Sequence, residues 1–452
     1  MAIGESGNAT PAERVSRGRG YFEVTDPTKK PFFWLSAFFV VYCARPEDWV
    51  PGLKYAPLAK ITAILAIWGL FKSFGRTKRT FKDLPKEAWL LLTMIVLLFM
   101  GGFLSPVWKG GAVSKTIDFS KIWIAWVMVF LLITSFGRLR RIIFIQASSV
   151  VVACVAALAK GRGVDRLAGV LGGIYSNPND LAFAIVLALP FALAFMVTAK
   201  SFLVKTVWLG GMLVMLLTIF VTASRAGFIN LVISGTVTLY YFAIKGKRPY
   251  LIVTAALAAV LIMFTAGGKL YDRFQALSGA TTTEQSAYGS YEERKFLMYR
   301  AVDAIEAYPI FGIGVGDFPT YSGVWRDVHM TYLQVAAEGG IPVLIIYLLF
   351  FRKAFRNLKI LRKRTDLDTE VILFVGALTS SLVGFIVGAL FAPEAYQYFP
   401  YFAVVFTATL LQTTKEQDQG QGSALPPPPK RGRHFLEVYA DRGKTGAVTP
   451  AR

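Results

Sequence analysis

Apolar runs long enough to cross a bilayer alternate with short polar segments along most of this chain. Twelve such runs lie near residues 31–44, 57–74, 88–108, 120–136, 142–159, 181–199, 202–223, 226–244, 250–267, 330–351, 371–391 and 395–414. A membrane-spanning helix needs about 20 mostly apolar residues, and each run ends at charge, glycine or proline. The pattern predicts an all-α fold, a polytopic membrane protein of about 12 transmembrane helices. The first run is the shortest, and its limits are the least sharply marked. The alternation breaks once, over residues 268–329, where one large external loop is long enough to form a subdomain. Within it, Tyr291 to Tyr308 is helix-compatible. The expected organisation is a cytoplasmic N-terminal segment at 1–30, nine spans over 31–267, the external (periplasmic) loop at 268–329, three spans over 330–414 and a disordered cytoplasmic tail at 415–452.

Composition supports the pattern. Hydrophobic residues make up 54% of the 452 and charged residues only 17%, with a mean hydropathy of +0.50. Soluble domains are nearer one quarter charged, and disordered chains have low hydrophobicity, so both classes are excluded. Cys43 and Cys154 lie inside apolar runs and read as small apolar side chains. The charges sum to +21, and their placement gives that number its meaning. Of the 49 Lys and Arg, 33 fall in the first 30 residues, in segments 72–87, 137–141, 200–205, 245–248 and 352–364, and in the tail. Basic residues collect in cytoplasmic loops, which puts both termini on the cytoplasmic side of the membrane. There the charge meets anionic lipid headgroups, and no nucleic-acid partner is needed to explain it. The first 30 residues are polar and lack a cleavable signal pattern, and the Pro-rich tail reads as extended and solvated.

Few residues on the external side bear chemistry. Of two histidines, His434 lies in the tail, so His329, at the mouth of the tenth span, is the only external imidazole and the only neutral-pH general base there. Glu338 is the sole carboxylate placed well inside a long span, followed by Gly339-Gly340 and Pro342. A charge within the membrane costs about 2.5–3.5 kcal/mol on insertion scales, so Glu338 either lines a polar cavity or stabilises the bundle. His329 and Glu338 share a face only if the glycine pair distorts the helix. Arg225 sits in Thr222-Ala-Ser-Arg-Ala-Gly227 between two apolar runs, where a guanidinium calls for an anionic partner. Arg162 and Arg166 precede Ser176-Asn-Pro-Asn179, and Arg273, Arg294 and Arg300 lie in the external loop. Arginine's planar fork suits phosphate, so Arg166, Asn177, Asn179, Arg225, Arg273 and Arg294 outline a site for a phosphate-bearing lipid headgroup. Arg300 and Arg326 read as solvated. The glycines Gly312, Gly314 and Gly316 follow no strand and read as a tight re-entry turn rather than a phosphate cradle. Glu47-Asp48 reads as an interfacial pair with Arg45, although some membrane glycosyltransferases use such a pair to bind metal. No Walker loop, metal-ligand cluster or Ser/His/Asp arrangement is found, and no metal or cofactor is expected.

These motifs together resemble the O-antigen ligase and polymerase superfamily of bacterial membrane glycosyltransferases. The resemblance rests on Arg166 with Ser176-Asn-Pro-Asn-Asp180, on Thr222-Ala-Ser-Arg-Ala-Gly227, and on Arg294 followed by Tyr308-Pro-Ile-Phe-Gly-Ile-Gly-Val-Gly-Asp-Phe318 and His329-Met-Thr-Tyr-Leu-Gln-Val-Ala-Ala-Glu-Gly-Gly-Ile-Pro342. It covers roughly residues 160–350. Met330 stands where the family commonly has Asn. The resemblance implies transfer of a glycan from an undecaprenyl-diphosphate donor to a glycan or lipid A core acceptor. Arg225 and Arg294 would then hold the diphosphate and His329 would take the acceptor proton, with Glu338 and Asn179 supporting them. Whether the reaction is ligation or polymerisation does not follow from the motifs. A polysaccharide-lipid flippase without transfer chemistry is the alternative from another class.

Overall fold

The computed structural model describes residues 26–161, 167, 170–260, 264 and 284–422, and every regular element among them is helical. In chain order these are α1 (Lys29–Ala44), α2 (Leu58–Lys72), α3 (Lys86–Leu104), α4 (Lys109–Leu132), α5 (Phe136–Lys160), α6 (Pro178–Thr198) and α7 (Phe202–Thr222). Then come α8 (Arg225–Leu239), continued by a π turn at Tyr240–Ile244, and α9 (Tyr250–Val260). The segment over 268–329 that is expected to be external contributes α10 (Glu284–Ala307) and α11 (Phe318–Ser322), and the chain closes with α12 (Thr331–Arg362), α13 (Thr369–Gly388) and α14 (Tyr398–Gly422).

A helix stands at each of the twelve apolar runs. Among the described residues, seven are long and apolar enough to cross a membrane: α3, α5, α6, α7, α8 with its π turn, α12 and α13. The multi-span, all-helical architecture is therefore present, with seven spans meeting these requirements where about 12 are expected. α1 and α2 have only 16 and 15 residues. Lys115, Asp118 and Lys121 occupy the first half of α4, and Tyr, Thr and Gln dilute α14.

Helix limits also depart from the apolar runs. α4 begins at Lys109 rather than near 120, and its polar turns carry a Lys121–Asp118 ion pair of 2.5 Å at i,i+3 spacing. α5 takes in the basic segment 137–141, capped by Ser135 Oγ, which accepts from Arg138 N–H at 3.3 Å. α12 continues through most of the basic segment 352–364 to reach 32 residues, which at 1.5 Å per residue is about 48 Å, longer than the roughly 30 Å hydrocarbon core. Lys and Arg favour helix, so a helix need not stop where its apolar face does.

Polar contacts sort the loops into two ends. Ion pairs join Arg79 to Glu416 at 2.7 Å, Arg140 to Glu370 at 2.5 Å and Arg364 to Asp418 at 2.7 Å, gathering the basic segments at one end. Between the ends lies a core in which α6 packs on α7 and α13, and α12 on α3 and α14. Buried rings of Tyr347, Phe350, Phe351, Phe385 and Tyr401 fill its centre. At the other end the external segment docks on the α3–α4 hairpin, where Ser105 Oγ donates to Asp317 and lies 2.7 Å from both Asp317 Oδ2 and Ile313 O.

Candidate active site

The site is built on a break in α12. Gly340 adopts φ 82° and ψ 172°, outside helical geometry, and Pro342 has no N–H to give. The carbonyls of Ala337 and Glu338 therefore lose their helical partners. Both are taken up by the glycine loop: Ile313 N–H donates to Ala337 O at 2.9 Å and Gly314 N–H to Glu338 O at 3.0 Å, while Ile341 N–H donates to Pro309 O at 2.8 Å. Only glycine fits this approach. A Cβ at Gly312, where φ is +66°, would lie 2.4 Å from the Glu338 carbonyl carbon, and one at Gly340 would lie 2.2 Å from Ile310 O. Gly312, Gly314 and Gly316 thus form the tight turn that the sequence suggests. The turn surrounds a carboxylate. Glu338 is fully buried and faces the N–H groups of Gly316 and Phe318 and the Tyr396 hydroxyl, although its oxygens form no hydrogen bond of ordinary geometry.

Arg225 opens α8. Ala223 turns the chain with φ 48°, and Ser224 caps the helix by accepting from Gly227 N–H at 3.0 Å. The same Ser224 hydroxyl donates to Asn179 Oδ1 at 2.7 Å, tying the start of α8 to the start of α6. Asn177 caps α6, its Oδ1 accepting from Asn179 N–H at 3.0 Å. Both asparagines therefore build the mouth of the site, Asn177 as a cap and Asn179 as a brace behind Arg225.

Arg294, half-buried on α10, lies within the field of Arg225, and burial together with that like charge lowers its pKa. Its Nε is buried and forms no hydrogen bond among the described residues. His329 sits in the extended link into α12, half-buried beside Arg294 and Arg326. Burial, followed by the two guanidinium charges, drops its pKa to about 4. Its imidazole is therefore neutral at physiological pH. The structure brings together Arg225, Arg294 and His329 from three separate parts of the chain. Arg166 and Arg273 lie outside the described residues. Arg300 pairs with Asp303 at 3.1 Å, and Arg326 with Glu293 at 2.6 Å. Arg45 binds Asp48 at 2.6 Å, and Asp48 also accepts from Gly172 N–H at 2.9 Å, so this pair staples two loops together.

Sequence reasoning missed a set of acids beneath these cations. Asp180 hydrogen-bonds Glu394 and lies within the field of Asp327, which in turn acts on Glu338. Burial and the neighbouring Asp180 hold the Glu394 carboxyl well above the usual range, and burial raises that of Asp327 against the opposing pull of Lys115. Glu394 N–H donates to Thr331 Oγ1 at 2.9 Å, which links this acid to the first residue of α12. The sequence signal for Glu394 was present: it is a single carboxylate in the short Ala392-Pro-Glu394 turn between two apolar runs. Among the described residues, no group of three or more His, Cys, Asp or Glu is arranged to hold a metal ion.

The family model described as O-antigen ligase matches residues 210–348, less than a third of the chain, and this stretch holds Arg225, Arg294, His329 and Glu338. This match supports, for that stretch, the resemblance to the O-antigen ligase and polymerase superfamily that the motifs carry. The family points to glycan transfer in the membrane, and the apolar helices to an integral membrane protein. The ligase-family segment begins inside α7 and ends inside α12, so it encloses the external segment and the α12 break together. A comparison with curated proteins gave no match.

Proposed function

We propose that this protein is an inverting glycosyltransferase that moves a glycan from undecaprenyl-diphosphate to an acceptor hydroxyl, a sugar of another glycan or of lipid A core, on the outer face of a bacterial inner membrane. One observation carries this reading: a neutral histidine with a pKa near 4 is held beside Arg294, which in turn lies within the field of Arg225. Clustered, partly buried cations favour a multiply charged anion, and a diphosphate leaving group is one. In the proposed step the acceptor oxygen attacks the anomeric carbon as the bond from that carbon to the diphosphate oxygen breaks. The bonding electrons leave with the diphosphate, and Arg225 and Arg294 stabilise the growing charge. The hydroxyl proton passes to His329. A base of pKa 4 is weak, but the bound diphosphate offsets the arginine charges that depress it, so His329 gains basicity when the donor is in place. The arginines take the charge-neutralising role for which many transferases recruit a metal, and transfer is expected to persist in EDTA.

The test is transfer by purified protein in proteoliposomes supplied with lipid-linked donor and acceptor. His329→Ala should lower the rate by about 10²–10⁴-fold, the usual worth of a general base, with donor binding intact. Full transfer by that variant would remove the reading.

A further inference from the structure

At the end of the bundle opposite His329 lies a cavity of about 310 Å³ that the transfer chemistry does not use. It opens between the π turn after α8, the end of α12 and the first turn of α13. Five cations line it: Lys245, Lys247, Arg248, Arg362 and Arg364. Arg364 is committed to Asp366 and Asp418. The other four have no carboxylate partner among the described residues, and no acid lines the cavity.

The local backbone assembles this cluster. In the π turn Lys245 N–H reaches Tyr240 O at 2.9 Å, and Arg248 N–H then closes on Ala243 O at 2.8 Å, curling the basic loop back toward α13. Tyr241 stands at the centre. Its hydroxyl accepts from Arg362, whose guanidinium also lies 5.8 Å from the ring, and Lys245 lies 6.0 Å from the same ring. Gly376 permits this packing, since a Cβ there would lie 3.0 Å from Tyr241 Cβ. The cavity wall is apolar, with Leu361, Leu373 and Val375, and its outer rim carries large exposed apolar groups, Ile244 at 61% and Ile372 at 50%.

We propose that this cavity binds the phosphate headgroup of an anionic phospholipid. Four cations without a carboxylate partner among the described residues attract an anion, and Arg and Lys donors from the loop after α8 and from the end of α12 suit a tetrahedral phosphate. The apolar wall and rim suit the glycerol and acyl chains rather than a soluble anion, and basic pockets between helices at this depth hold lipid headgroups in general. The proposal is independent of the transfer reaction, because none of these residues lies at the His329 end.

The test is native mass spectrometry of the full chain released from detergent with phosphatidylglycerol, phosphatidylcholine or inorganic phosphate. Retention of phosphatidylglycerol over phosphatidylcholine is expected to fall at least about tenfold when Lys245→Gln, Lys247→Gln, Arg248→Gln and Arg362→Gln are combined. The matched change of Arg352, Lys353, Arg356 and Lys359 to Gln, on the same end of α12, should leave the preference in place. Arg362→Lys, which keeps the charge, guards against a fold defect and should retain most of it. Equal loss in both quadruple variants, equal retention of the two lipids by the native chain, or displacement of the lipid by millimolar inorganic phosphate would each overturn the proposal.

Discussion

Both ends of the bundle bury arginine, and they treat it in opposite ways. At the basic end Arg79 is 1% exposed, yet its fork is answered: Nε donates to Glu416 at 2.7 Å, Nη1 to Phe130 O at 2.9 Å and Ile133 O at 2.8 Å, and Nη2 to Thr413 Oγ1 at 3.0 Å. At the other end Arg294 buries an Nε with no hydrogen bond among the described residues and feels the like charge of Arg225. Burying a charge is unfavourable unless it is paired. The first arrangement therefore holds the fold together, and the second is costly until an anion arrives. Perturbed groups of the second kind mark functional sites.

The sharpest way to break this comparison is to truncate both arginines. Arg294→Ala should slow transfer by about 10²–10³-fold, the typical loss for a group that stabilises a developing anion, while leaving thermal unfolding unchanged or shifted upward. Arg79→Ala should do the reverse. Removing one partner of a buried pair is worth about 3–5 kcal/mol, here leaving two buried carbonyls unanswered and Glu416 with only Lys78 and Gln412, so less folded protein should accumulate. The rate per folded molecule should stay near that of the parent. Measuring turnover against the folded fraction, by size-exclusion chromatography in detergent, separates the two. A folded Arg79→Ala protein without transfer would erase the distinction.

The sequence made one half of this contrast readable. Arg225 and His329 stand out because so few charged groups interrupt the apolar pattern, and the glycine pair at 339–340 announces the break that reshapes α12. Of the acids Asp180, Asp327 and Glu394, only the last stands out, and nothing in the sequence joins it to the other two. The three come from distant segments, and only the packing of α6, the external segment and the α13–α14 turn makes them neighbours. Asn177 and Asn179 show a second limit, since a polar motif at a loop looks alike whether it caps a helix, binds a headgroup or does both. The number of spans was similarly hard to read, since a half-polar helix such as α4 and a Tyr- and Thr-rich one such as α14 differ only in degree from the seven helices that are long and apolar enough to cross a membrane.

A smaller effect sharpens the comparison at the site itself. The two guanidinium groups beside His329 disfavour the imidazolium form, so removing one must raise the imidazole pKa. In Arg294→Gln the value should move up from about 4 toward the ordinary 6.5. The acid limb of the kcat/KM profile of that variant, however slow, should rise with it. Because the chain has only two histidines, a His434→Gln background leaves one imidazole to follow by NMR. An unchanged pKa would mean that burial and Arg326, without Arg294, depress His329.

The smallest effect expected concerns Glu394. Its carboxyl is held protonated by burial and by Asp180, so it acts as a hydrogen-bond donor rather than as a charge. A folded-state pKa raised above the unfolded value contributes stability that is complete below the unfolded pKa, near 4.3, and is lost as pH rises toward the folded one. Glu394→Gln keeps a donor for Asp180 but cannot ionise. The variant should therefore unfold within about 0.5 kcal/mol of the parent at pH 4, the range of a mild substitution, and should lose less stability than the parent between pH 4 and pH 8. Parallel pH-dependences of the two melting temperatures would mean that Glu394 is ionised in the folded protein. The acids beneath the arginines would then be counter-charges, and the two ends of the bundle would handle buried charge alike.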